Sequence, residues 1–288
     1  MKEIRTMLVD DSAFSTAVLR KMIEKKGCTV VAIAKNVSEA IEMAKEHKPD
    51  LITMDMTLPD GDGIECAKSI LAHVKEAKII AISSMMDAEI IKKAKEAGMK
   101  TYLQKPVEEE ELGSAIERLF LGDMLYELLQ QNYQEAFKES MFNYFKRSLG
   151  YTVQFNNANI EDPTSIKSSG ISIAVGIIGR HSGRFIIDLS DNTALAFTKK
   201  MLKEDNVTVE DAVLFLSEFA NVISGNSCSL LNGLNRSLGL RVSPPMIFHG
   251  NDLTVSIGGI ESSSFLIQTE LGEIFMNIGF KKEDVQWM

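Results

Sequence analysis

Cysteine is scarce: Cys28, Cys66 and Cys228 are the three thiols in 288 residues, and none stands in a CxxC spacing. That excludes a disulfide framework and a zinc-finger site, and buried free thiols are the expectation. The four histidines, His47, His73, His181 and His249, lie far apart without ligand spacing and read as surface or core residues. No apolar run approaches the roughly 20 residues of a membrane span. The start, "MKEIRTMLVDDS", puts acids where a signal peptide needs an apolar stretch, so a cytoplasmic protein without membrane contact is expected. A basic patch is lacking too. With a net charge of -9, acids outnumbering bases after residue 161 and no basic recognition helix, nucleic acid is not an expected partner and a transcription factor is set aside. "GIIGRHSG" lacks the Lys and Ser or Thr of a P-loop, and no short-period repeat is visible.

What is present is a globular composition, 45% hydrophobic and 25% charged, long enough for about two domains. From residue 5 to about 120, the apolar runs "TMLVDD", "CTVVAIAK", "DLITMDM", "AKIIAISS" and "KTYLQK" alternate with amphipathic stretches such as "SAFSTAVLRKMIEKKG" and "DAEIIKKAKEAG". Five strands alternating with five helices imply an α/β, doubly wound parallel sheet covered on both faces. "EEEE" at 108–111 suits the first turn of a helix. A break is expected at Gly122, with a short connector, and a second long helix over 123–149.

Beyond it the strand-like runs "ISIAVGIIG", "GRFIIDLS", "DLTVSIGGI", "SSFLIQTE" and "GEIFMNIGF" are joined by Gly, Ser and Asn, which favours antiparallel hairpins. Helices near 192–204 and 209–224 interrupt them. An α+β domain over 122–288, with a largely antiparallel sheet and long helices, therefore follows a first domain over 1–121.

In an open parallel sheet, ligands gather at the carboxyl ends of the strands. That rule selects Asp10 and Asp11 after strand one, Asp55 after strand three, Ser83 and Ser84 after strand four, and Lys105 after strand five. Singly these read as helix-terminal acids, a loop residue and a solvated charge. Together, at the ends of successive strands, they read as one site. Three clustered carboxylates repel one another, and a hard dication with oxygen ligands, Mg2+, relieves them. Asp55 is then the nucleophile that takes a phosphoryl group, Lys105 its counter-charge and the Ser83 hydroxyl a hydrogen-bond donor to it.

"LVDDS", "LITMDMTLPDGDG", "IIAISS" and "YLQKP" together resemble the two-component response regulator receiver domain, the CheY-like family with its flavodoxin-like fold, over about residues 1–121. The resemblance implies Asp55 as phosphoacceptor and Asp11 as a direct metal ligand. Asp10 would bind the metal through water, Thr57 would offer it a backbone carbonyl, and Tyr102 would be the switch aromatic. A sensor histidine kinase is the implied partner. Ser84 stands where many relatives carry Ala or Gly, which bears on switching kinetics alone.

The stretch "SEFANVISGNS" holds the second candidate. At 100° per residue, Ala212, Val213, Phe215, Leu216, Phe219, Ala220, Val222 and Ile223 fill one half of the helix. Glu210, Asp211, Ser217, Glu218, Asn221, Ser224 and Gly225 fill the other, with Leu214 as the intruder. Glu218 and Asn221 are thus adjacent on an outward face. An uncharged amide can position water against an acyl phosphate, while Glu218 can dock on the lysine of a receiver.

"EFANVISGN", with "VGIIGRHSGRFIIDLS" before it and "VSPPMIFHG" after it, resembles the CheX and CheC class of chemotaxis phosphatases, nearest to CheX, over about residues 124–280. That family's ExxN pair falls on Glu218 and Asn221. A homodimer and phosphorylated receiver domains are the implied partners. A second ExxN is missing, and Glu127 with Gln130 reads as a pair of surface residues. The competing expectation is an interaction or dimerisation module with a vestigial phosphatase face.

Overall fold

The computed structural model describes residues 3–85, 87–160, 162–250 and 252–283. They form two compact units that divide between Leu121 and Gly122.

The first unit runs β1 (Arg5–Val9), α1 (Ala13–Lys25), β2 (Thr29–Ala34), α2 (Val37–His47), β3 (Leu51–Asp55), the short hairpin β4 (Thr57–Leu58) and β5 (Gly61–Asp62), α3 (Gly63–His73), β6 (Lys78–Ser83), α4 (Ala88–Glu96), β7 (Thr101–Gln104) and the start of α5 (Glu109–Leu149). Its five strands are parallel in the order β2-β1-β3-β6-β7. Alternation along the strands explains the double winding. Met7, Val9, Ile52, Met54, Ile79 and Ala81 pack toward Ala40, Ala44, Ile70 and Ala94 of α2, α3 and α4. Their neighbours Leu8, Leu51, Ile80 and Ile82 pack on the opposite face, against Leu19 and Ile23 of α1 and Leu112, Ile116 and Leu119 of α5. Ser12, Asn36, Asp62 and Asp87 cap the first four helices, so each chain reversal at the carboxyl end of the sheet is sharply defined.

The second unit holds the rest of α5, β8 (Gln154–Asn157), β9 (Ser165–Lys167), β10 (Gly170–Ile178), β11 (Gly183–Ser190), α6 (Asp191–Leu202), α7 (Val209–Leu234), a 3-10 turn, β12 (Arg241–Val242), β13 (Met246–His249), β14 (Thr254–Ser256), β15 (Glu261–Thr269) and β16 (Gly272–Phe280). The main sheet is antiparallel, β12-β10-β11-β16-β15-β8, with β13 also paired to β10. "DLTVSIGGI" does not join it: β14 pairs with β9 in a separate ribbon. The edge strands β8, β12 and β13 carry too few apolar residues in alternation to be read from sequence.

Two helix ends differ from expectation. The chain does not break at Gly122: α5 passes through it, because Leu125, Leu129, Tyr133, Phe137, Met141 and Phe145 continue a buried stripe at every fourth residue. A mid-helix glycine costs about 1 kcal/mol, less than burying one such side chain gains. Likewise α7 runs ten residues past Ser224, to Leu234. Ser224 is buried rather than outward, and its hydroxyl bonds the Ala220 carbonyl at 2.7 Å; Ser227 does the same to Ile223, while Cys228 and Leu231 extend the core face.

The three cysteines are free and buried. His181 is a core histidine whose Nδ1 accepts from the Glu283 amide at 3.1 Å, which leaves Nε2 to donate to the Gly122 carbonyl at 2.8 Å. Glu127 is exposed as expected, but Gln130 is half-buried with its Nε2 shut from solvent. Met85 is exposed, and Met86 lies outside the described residues. No described helix is long and apolar enough to cross a membrane.

Candidate functional sites

At the carboxyl end of the parallel sheet, Asp10, Asp11 and Asp55 each offer a carboxylate oxygen, all within 4.8 Å of one another. Asp10 and Asp55 are buried and Asp11 is exposed. Lys105, placed by the end of β7, reaches both buried acids: its Nζ lies 2.9 Å from Asp10 Oδ2 and 2.6 Å from Asp55 Oδ2. Burial works to lower the Lys105 pKa, but its hydrogen bonds and its attraction to Asp55 and Asp10 prevail, and the net shift is upward. One ammonium against three acids leaves an excess of negative charge. An oxygen-only donor set with one open, exposed member is what a hard dication such as Mg2+ takes.

The supporting contacts explain how each acid is aimed. Asp10 accepts from the Ser12 amide at 2.9 Å and from the Ser15 hydroxyl at 2.6 Å, both at the start of α1. Asp55 Oδ1 accepts from the Thr57 amide at 3.1 Å, so Thr57 meets the site through its N–H. Ser83 is buried and its Oγ accepts from the Met85 amide at 3.2 Å. Tyr102 is buried as well, and its hydroxyl donates to the Met85 carbonyl. The backbone of Met85 therefore joins Ser83 to Tyr102.

Sequence reasoning missed three positioning residues. Ser15 has a signal, three residues after Ser12 on the same helix face. Asp60 is less legible: its carboxylate takes the Val37 and Ser38 amides at 2.7 and 3.2 Å, tying the loop after β3 to the start of α2, and these bonds, Val37 first, lower its pKa. Gly63 is legible only in three dimensions. A Cβ there would stand 2.4 Å from the Asp55 carbonyl oxygen and 2.9 Å from Met56 Cα.

In the second unit, α7 is fixed in rotation by aromatic packing. Phe219 meets Phe197 at 5.1 Å, Tyr144 at 4.8 Å and Phe145 at 6.0 Å between ring centroids, and Phe145 stacks on Phe197. With Phe219 turned inward, its neighbour Glu218 is exposed and Asn221 is half-buried at the surface. Neither side chain is used internally: no hydrogen bond joins either one to another group among the described residues. Burial raises the Tyr144 pKa, and the nearby Glu218 charge adds to the rise.

A doubly wound sheet with this acidic cluster at its carboxyl ends defines a receiver, and the attached antiparallel unit is a second, separate module. Residues 6–117 match the family model of the response regulator receiver domain, and residues 171–268 match that of the chemotaxis phosphatase CheX. The chemotaxis protein CheY of Bacillus subtilis is 39% identical over 114 residues, covering 40% of this chain and 95% of that protein. A CheX crystal structure from Desulfovibrio desulfuricans is 19% identical, covering 52% of this chain and 99% of that one, with a TM-score of 0.46. A CheX-CheY-BeF3-Mg2+ complex from Borrelia burgdorferi gives 28% identity, 41% and 89% coverage, and a TM-score of 0.40. The chain belongs to the CheY-like response regulator family, with a CheX-type domain fused to its receiver.

Proposed function

We propose that the protein is a response regulator phosphorylated on Asp55 whose CheX-type domain hydrolyses the aspartyl phosphate of receiver domains on other molecules. An Asp55 carboxylate oxygen attacks the phosphorus of a phosphodonor, a histidine kinase in the cell, and the donor atom leaves. Asp11 and Asp55, with the Thr57 carbonyl and with Asp10 through water, would hold a divalent cation, which would offset the charge of the phosphoryl oxygens. Lys105 exchanges part of its bond to Asp55 for one to the phosphoryl group. The Ser83 hydroxyl turns to donate to that group, and the Met85 segment and Tyr102 follow because both depend on the same backbone.

Hydrolysis is a second phosphoryl transfer, with water as the acceptor. Water oxygen attacks phosphorus in line, the carboxylate leaves, and the water protons pass to the inorganic phosphate and solvent. The amide of Asn221 accepts from and donates to that water without bringing charge into an anionic site, and Glu218 pairs with the lysine of the substrate receiver. The observation that carries this reading is Asn221 itself: a surface amide on a rigidly packed helix, with no side-chain hydrogen bond to another group among the described residues.

Phosphate release during turnover with a small-molecule phosphodonor tests it. Asn221→Ala and Glu218→Ala should each slow release to the rate of the receiver alone, with folding unchanged. Equal rates for wild type and the double variant would leave an interaction module instead.

A homodimer belongs to the same reading. The edge strand β13 exposes Met246, Ile247 and Phe248 in succession, an apolar edge of the kind that a second copy covers.

A further inference from the structure

Two sets of exposed apolar side chains lie beside the two candidate sites. Among the described residues of the first unit, the large apolar side chains left exposed are Phe14 and Met85, at 81% and 65%. Both adjoin the acidic cluster in the chain. Phe14 precedes Ser15, which holds Asp10, and Met85 gives its amide to Ser83. The chain segments that hold the acidic cluster thus carry an exposed apolar rim, where exposure of such groups has a cost that the receiver fold does not itself require.

On α7, Leu214 is 68% exposed. Leu214, Glu218, Asn221 and Gly225 follow one another at spacings of four, three and four, so they share a stripe about 60° wide and about 16 Å long. Gly225 is the unexpected member. A glycine inside a helix costs about 1 kcal/mol relative to alanine. Yet a Cβ at Gly225 would meet nothing within 4 Å, so the protein's own packing does not demand it. Gly233 has similar room but lies about 100° round the helix, off the stripe.

We infer that this stripe is a docking face for the receiver of a second copy of the chain, with Leu214 seated on the Phe14 and Met85 rim and Gly225 leaving clearance for the receiver backbone. The inference rests on the phosphatase reading and adds what the Glu218 and Asn221 pair lacks, an apolar anchor that sets register. Leu214 lies one turn before Glu218 and two before Asn221. Contact with the rim therefore orders the pair along the edge of the site, acid first and amide second.

The test uses full chains. An Asp55→Asn copy serves as enzyme and a phosphorylated Asn221→Ala copy as substrate. Leu214→Asp in the enzyme copy should raise KM about tenfold or more while kcat stays within about twofold. Phe14→Ser in the substrate copy should do the same, and the two together should cost less than the product of the single effects. Gly225→Leu should raise the melting temperature and still lower kcat/KM about tenfold. Binding of the Asp55→Asn copy to a beryllofluoride-loaded Asn221→Ala copy gives a second readout that needs no turnover. If the unmodified pair turns over and these substitutions leave KM and binding unchanged, the docking face is wrong and the phosphatase stands. If the pair does not turn over, the phosphatase reading fails, and binding that Leu214→Asp does not weaken overturns the docking face as well.

Discussion

Gly63 and Lys105 show how single residues set the receiver site. The Asp55–Met56 backbone leaves no space for a Cβ at Gly63, and the atoms in the way are main chain. Gly63→Ala should therefore displace the phosphoacceptor, slow phosphorylation and cost about 1–3 kcal/mol in denaturant unfolding. Lys105→Met removes the cation between two buried carboxylates and should cost a similar amount, about 1–3 kcal/mol, with loss of stable phosphorylation. The pH dependence follows from the upward shift. A lysine whose folded pKa lies above its ordinary 10.5 contributes fully below that value and loses its contribution as pH rises through the folded one. Stability measured between pH 7 and pH 10 should thus show no lysine-linked loss in wild type. The loss should begin above pH 10.5 and be smaller in Lys105→Met.

At the scale of elements, much was legible where one period ran unbroken. Four of the five parallel strands lead into Asp10, Asp55, Ser83 and Lys105, and they were legible because short apolar runs bounded by helix caps have few other readings. The inward half of α7 was legible for the same reason, and Leu214 stood out as an intruder that the structure leaves exposed. The misses have local causes. Gly122 and Gly225 looked like helix ends, but burial on both sides of each outweighs their propensity. Ser224 looked outward, but a hydroxyl that bonds its own helix can face the core. The edge strand β13 was unreadable, since its apolar residues face solvent on this chain. If they pair with a second copy, Phe248→Glu with Ile247→Lys should convert a dimer to a monomer in light scattering, with the fold intact by circular dichroism. A wild-type monomer at micromolar concentration would reject that interface.

At the scale of the molecule, the chain joins a receiver to a CheX-type domain, and under the proposed function each copy would be both substrate and enzyme. The net charge of -9 means that two copies repel at long range, so encounter between them should quicken as salt rises. What the residues alone could not reveal is which receiver is served, because the exposure of a surface group such as Phe14 appears only in the fold. The most direct measurement is the single-turnover decay of phospho-Asp55 on an Asn221→Ala chain mixed with an Asp55→Asn chain. The decay should accelerate in proportion to the added chain, by about a hundredfold near saturation, and lose that acceleration when the added chain also carries Asn221→Ala. Decay at the same rate with and without the added chain would contradict the central claim, that Asn221 of one molecule brings water to the phosphoryl group of another.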